Sequence, residues 1–177
     1  MRTPLPLLTE HLELSEPRMA DAPALFHDVY GDPEVMRWVA GGPLVDLAAT
    51  REALATFRAH QRAHGFTWWT VLERATGRVV GDAGLFSYAG TGPEIEVGYT
   101  FTRDVWGKGY ATQAAIASLE VAFGPLALAR VLAVVRPENG ASQRVLEKAG
   151  MRRDGHTDYR GAEHLRFVAE RDAWRPS

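Results

Sequence analysis

The 177-residue chain predicts a mixed α/β domain with a mixed sheet. Three observations carry this. Apolar residues fall at helical spacing in the first third. Period-two alternation and β-branched or aromatic runs follow it. One strand–loop–helix–strand unit spans residues 94–136.

In order along the chain, LTEHLELSEP alternates around Leu12 and Leu14 and predicts one short strand. After Asp21, Leu25, Phe26, Val29 and Tyr30 share a helical face that ends at Gly31. Asp32-Pro33 starts a second helix, with an acceptor at the N-cap and proline at N1; Val35, Met36 and Val39 follow until Gly41-Gly42-Pro43 stops it. A third helix runs from Asp46 to about Ala63, closed by Gly65. FTWWTVLE (66–73) and RVVGDAGLF (78–86) form a hairpin around Ala75-Thr76-Gly77. In EIEVGYTF (94–101), Ile95, Val97 and Tyr99 take one face and Glu94, Glu96 and Gly98 the other. A glycine-containing loop leads to a helix that reaches Phe123, before Gly124-Pro125. RVLAVVR (130–136) is a buried strand, and the unit from Glu94 to Arg136 is expected to be a right-handed crossover between parallel strands. Asn139 caps a helix whose inner face holds Ala141, Val145, Leu146 and Ala149. The tail makes two strands around a turn at Tyr159–Ala162. No linker or repeat divides the chain, so residues 1–177 read as one domain.

Composition narrows the function. Hydrophobic residues are 46% and charged residues 24%, and the net charge is −2, so no basic field points to nucleic acid or a membrane surface. There is no cysteine, which removes disulfides, thiolate zinc sites and cysteine nucleophiles. The N-terminus has no apolar leader segment and no run suits a membrane span, so a cytoplasmic protein is expected.

The segment RDVWGKGYATQAA (103–115) places two glycines and Lys108 just ahead of a helix. Unpaired N–H groups and partial positive charge make a helix start an anion site, and glycine lets successive N–H groups converge. An ordinary glycine-shaped turn is the plain alternative. The P-loop pattern fails at both ends, because Thr102 stands five before Gly107 and Gly109 follows Lys108. The dinucleotide pattern fails at Thr112, and residues 102–106 separate the strand from the glycines.

A third phosphate loop fits. Trp106-Gly107-Lys108-Gly109-Tyr110-Ala111 resembles the [Q/R]-x-x-G-x-[G/A] pyrophosphate loop of the GNAT superfamily of acyl-CoA-dependent N-acyltransferases, with Trp in first place. WGKGYAT, NGASQRVLEKAGM and TEHLELSEP together are similar to the RimJ/RimL-like branch, with Met151 for the usual Phe and His11 and Ser15 for arginines. The resemblance covers nearly the whole chain. It implies a central mixed, mostly antiparallel sheet flanked by helices, and acetyl-CoA as co-substrate without a metal. It implies transfer of acetyl to a primary amine, a protein N-terminus or a small molecule. Nucleic acid and membrane partners are not expected; a homodimer is compatible with it.

The resemblance also distributes roles. Backbone groups of Tyr99, Thr100, Phe101 and Thr102 would bind pantetheine where this strand parts from residues 130–136. Trp106, Gly107, Lys108, Gly109, Tyr110, Ala111 and Thr112 would hold the pyrophosphate. Asn139, Ser142 and Arg144 would approach from the far side. An amine of pKa about 8 to 10 is mostly cationic at neutral pH, so a base is needed; Glu96 is the candidate, with Glu94 in reserve. Solvated charge on a strand face is the plain reading of both. Many members carry a tyrosine acid four residues before the glycine of the last helix, where Leu146 stands here, so Ser142 is the candidate proton donor. Its plain reading, like that of Asn139, is helix capping.

Other features weigh less. His60 and His64 share a helix face as metal ligands can, but no third ligand is evident and a solvated polar face is expected. Trp68 and Trp69 face opposite ways, one into the core and one toward an acceptor pocket or a packing interface. The acceptor is expected among residues 32–46, 87–93 and 158–163, where Glu34 would suit a cation. Two other classes stay open: a non-catalytic acyl-CoA-binding module and an NAD-binding oxidoreductase.

Overall fold

The computed structural model describes residues 3–176; Met1, Arg2 and Ser177, which the single-domain reading includes, lie outside the described residues. The chain opens with two strands rather than one, β1 (Leu7–Leu8) and β2 (Leu12–Ser15). The polar trio between them makes the turn: Thr9 N–H donates to the Leu12 carbonyl, and the Thr9 hydroxyl accepts from Leu12 N–H at 3.0 Å. Leu12 and Leu14 are fully buried, as their alternation predicts.

Helix α1 (Ala22–Leu25) passes into a π-helical turn, Phe26–Tyr30. Helix α2 (Pro33–Met36) is a single turn, with the Asp32 carboxylate accepting from Glu34 N–H at 2.8 Å. It stops short of Val39, because Val39 and Gly42 N–H bond three residues back, closing tight turns instead of extending the helix. Helix α3 (Leu47–His64) starts at its expected cap, where Asp46 accepts from Ala49 N–H at 2.7 Å. Strands β3 (Trp68–Glu73), β4 (Val79–Ser87) and β5 (Ile95–Phe101) follow, then α4 (Tyr110–Phe123), β6 (Arg130–Val135), α5 (Gly140–Lys148), β7 (Arg152–Tyr159) and β8 (Ala162–Glu170).

All eight strands join one sheet, in the order β1-β2-β3-β4-β5-β6-β8-β7. Every neighbouring pair is antiparallel except β5–β6, the parallel pair expected on either side of α4. Helices α4 and α5 cover one face. Ala114, Ala115 and Ala122 let α4 lie close to Trp69, Val71, Leu85 and Val97. The other face carries α1 to α3, packed through Leu25, Val29, Val35, Met36 and Leu54. Each fully buried large side chain, such as Leu12, Leu85, Leu119 or Phe167, contributes roughly 1.5–3 kcal/mol against exposure. On α5 the inward stripe is Val145, Leu146 and Ala149; Ala141, expected with them, is exposed one turn nearer the helix start. No helix among the described residues is long and apolar enough to cross a membrane.

Candidate active site

Strands β5 and β6 meet at a single pair, Glu96 with Leu132. Beyond it β5 runs on to Phe101 without a ladder partner on that side, while all six residues of β6 pair with β8. The direction of the free groups follows from antiparallel geometry. Thr102 N–H donates to the Val80 carbonyl, so the even residues of β5 turn their main-chain groups to β4 and the odd ones turn away. Among Tyr99 to Thr102, expected to bind pantetheine, Thr102 N–H is thus occupied, and the Phe101 carbonyl accepts from the Trp106 indole at 2.8 Å. The N–H and C=O of Tyr99 and the N–H of Phe101 remain on the side of the gap.

The glycine loop stands at the end of that gap. Gly107 and Gly109 have φ of 79° and 80°, a left-handed conformation that side-chain-bearing residues rarely adopt. A Cβ at either would meet nothing, so backbone angle alone requires glycine. Gly109 is the N-cap of α4 and supplies no side-chain cap. The N–H groups of Gly109, Tyr110, Ala111 and Thr112 therefore have no acceptor among the described residues; the first intrahelical acceptor, the Gly109 carbonyl, serves Gln113. Lys108 is exposed beside them. The first turn of α4 is braced from the side. The Tyr110 hydroxyl donates to Glu73 at 2.8 Å, holding that carboxyl below its ordinary range, and the His11 ring stacks on Tyr110. The Gln113 side-chain oxygen, Oε1, accepts from the Thr9 hydroxyl and from His11 N–H.

Glu96 is buried, 7% exposed, although Glu94 two residues earlier is exposed. Burial pushes its carboxyl up to about 7, opposed by a 3.3 Å hydrogen bond from the Tyr159 hydroxyl and by the nearby Arg160 charge. The solvated-face reading therefore fails for Glu96. On the opposite face of β5 the Tyr99 phenol, pushed well above its ordinary range by burial, lies 2.8 Å from the Ser142 Oγ. Asn139 accepts from Ser142 N–H at 3.1 Å, so capping engages the Ser142 main chain and leaves its hydroxyl to Tyr99. Arg144 sits exposed at the start of the second turn of α5. A tyrosine does reach the end of α5, but from strand β5 instead of from the helix.

The indole of Trp68 lies across Gly98: a Cβ there would come 2.5 Å from its ring, so the strand residue next to Glu96 on this face must be glycine. Trp68 stacks parallel to Phe86, which pairs with Glu96 across the ladder. Trp69 is the core member, its indole N–H donating to Gln61. His60 is not on a solvated face. It is half-buried, stacked on Phe86 at 4.0 Å, with its two ring nitrogens at the Phe66 carbonyl and the Ser87 hydroxyl. No group of three metal-ligating side chains exists among the described residues. Of the expected acceptor segments, residues 87–93 and 158–163 come together, with the Tyr88 and Tyr159 rings 5.4 Å apart. In the third, Asp32 pairs with Arg103 and Glu34 is taken by Arg37. A concavity of about 470 Å³, lined by Ser15, Arg18 and Arg58 among others, includes none of these groups.

The chain as a whole is similar to known proteins. The acetyltransferase (GNAT) domain family matches residues 11–152. The uncharacterized protein YkkB of Bacillus subtilis (strain 168) is 33% identical over 146 residues, 82% of this chain and 84% of that one. A GNAT-family acetyltransferase from Bacillus anthracis superposes with a TM-score of 0.81 at 25% identity, over 94% of this chain and 98% of that one. Mycobacterium smegmatis RimJ, in a structure with CoA-disulfide, superposes with a TM-score of 0.74 at 25% identity, over 91% of this chain and 82% of that one.

Proposed function

The chain belongs to the acetyltransferase (GNAT) domain family, and from that premise we propose that it moves acetyl from acetyl-CoA to a primary amine by direct attack in a ternary complex. The observation that carries this reading is the buried Glu96, poised near neutrality at the point where β5 and β6 part. Acetyl-CoA supplies the activated acyl group as a thioester. The unpaired N–H groups of Gly109 to Thr112, with Lys108, hold its diphosphate, and the main-chain groups of Tyr99 hold the pantetheine amides. Glu96 takes the proton from the arriving ammonium, directly or through water, which frees the nitrogen lone pair. The Ser142 hydroxyl, oriented by Tyr99, gives its proton to the departing sulfur and regains one as the nitrogen sheds its second proton on becoming the amide. No acyl-enzyme is needed, and the chain offers no cysteine to form one.

Within the family we place the chain in the RimJ/RimL-like branch, on the WGKGYAT loop and the likeness to the RimJ structure. The test is thiol release from acetyl-CoA against a panel of free amines and N-terminal peptides. Release with at least one class is expected. Turnover of peptides alone would make it a protein acetyltransferase, and a silent panel with cofactor still bound would end the transferase reading.

A further inference from the structure

The β7–β8 turn brings a second charge to Glu96. Arg160 lies close enough for its field to favour the ionised carboxylate, yet it forms no ion pair among the described residues. Its guanidinium carbon stands 5.7 Å from the centre of the Tyr159 ring, whose hydroxyl donates to Glu96. A Cβ on Gly90 would lie 3.9 Å from an Arg160 nitrogen, an ordinary contact distance. The tip of the loop after β4 and the β7–β8 turn thus come together beside Glu96, with the acid buried and the cation exposed.

The backbone makes the choice of arginine notable. Arg160 and Gly161 have φ of 52° and 79°, the two-residue hairpin turn for which Asn-Gly is the ordinary solution. Arginine tolerates that conformation poorly, so turn formation does not account for it. What it adds is a planar fork of donors suited to a carboxylate or a phosphonate.

Resting on the transferase reading above, we infer that the acceptor is an amine bearing its own anion, of the amino-acid type, with its nitrogen at Glu96 and its anion at Arg160. A polyamine would bring a second cation to the arginine, and a protein N-terminus would bring no anion beside its amine. The complementary charges also orient the acceptor, placing the nitrogen inward.

The test compares acceptors in pairs that differ only in the anion: phenylalanine with phenethylamine, lysine with cadaverine, aminomethylphosphonate with methylamine. The readout is thiol release from acetyl-CoA. The anion-bearing member should have the higher kcat/KM by roughly tenfold or more, the size of one charge-assisted contact. Arg160→Asn, which suits the left-handed turn, should bring that ratio toward one, mainly through KM, and Arg160→Lys should retain part of it. Equal turnover of both members, a ratio unmoved in Arg160→Asn, or turnover of polyamines or peptides only would overturn this inference while leaving the transferase intact. Silence with every amine and peptide would overturn both.

Discussion

Glu96 is a carboxylate that the folded protein holds unfavourably as an ion, and this has two measurable consequences of opposite sign. Its native pKa, about 7, lies above the unfolded value of 4.5. Between those values the folded state keeps a proton that the unfolded chain has lost, so stability falls as pH rises through that window and stays lower above it. Glu96→Gln removes the loss. It should stabilise the protein by on the order of 3 kcal/mol at pH 8 and by little near pH 4, read from denaturant titrations at both. In the same variant kcat should fall by about 10²–10⁴, the usual contribution of a positioned base, with cofactor affinity unchanged. The parent rate should rise with pH through a midpoint near 7, and the variant should lose that limb while keeping the one that belongs to the acceptor amine. A variant that is both less stable at pH 8 and fully active would show Glu96 to be an ordinary packing residue.

At the scale of elements, α4 and its preceding loop concentrate the proposed cofactor contacts. Gly109→Pro would replace a φ of 80° by one near −65° and delete an N–H at the mouth of the helix. Binding of acetyl-CoA, followed by titration calorimetry, should be lost, whereas circular dichroism should still report a folded protein because a Cβ at Gly109 would meet no other group. Undiminished affinity would break the assignment of this loop. The loop was legible in the sequence because its signal is local: two glycines, a cation and a helix start within a few residues. So were α3, through Asp46 and Gly65, and the β3–β4 hairpin, through its turn and its aromatic run. Elements whose ends depend on tertiary bonds were less legible. Helix α2 gives way to tight turns before Val39, and the first strand folds back on itself around Thr9. The site shows the same division. The hydrogen bond between Tyr99 and Ser142 joins residues 43 apart in sequence, and that between Tyr159 and Glu96 joins residues 63 apart. No spacing rule reaches that far. Alternation correctly put Glu96 on the face of Gly98, but its burial is a tertiary matter, and the Tyr159 hydroxyl that meets it comes from the far side of the sheet order. His60 misled for a related reason, since helical spacing says which face it occupies and not that Phe86 and Ser87 cover that face.

At the scale of the molecule, the sheet is continuous on its β1–β5 side and on its β6–β8 side, and the two halves are joined through one parallel pair and the helices around it. A ligand that enters this gap bridges the halves. It would bond Tyr99 on one strand, the start of α4 at one end and the start of α5 at the other, contacts that the unfolded chain cannot offer. Stabilisation then follows from mass action: at a hundredfold excess over Kd, one ligand stabilises the fold by about 2.7 kcal/mol. For a domain of this size, each kcal/mol moves Tm by roughly 2–4 °C. Acetyl-CoA in such excess should therefore raise Tm by about 5–10 °C in a thermal scan. NAD, which shares the diphosphate but lacks the pantetheine arm, should give little or no shift at the same concentration. The nucleotide fragment of CoA without pantetheine should fall between them, because it engages α4 but cannot reach Tyr99. If NAD matched acetyl-CoA, the loop would be a general diphosphate cradle and the gap between β5 and β6 would have no part in recognition; if the fragment matched it, the pantetheine arm would lie outside the sheet.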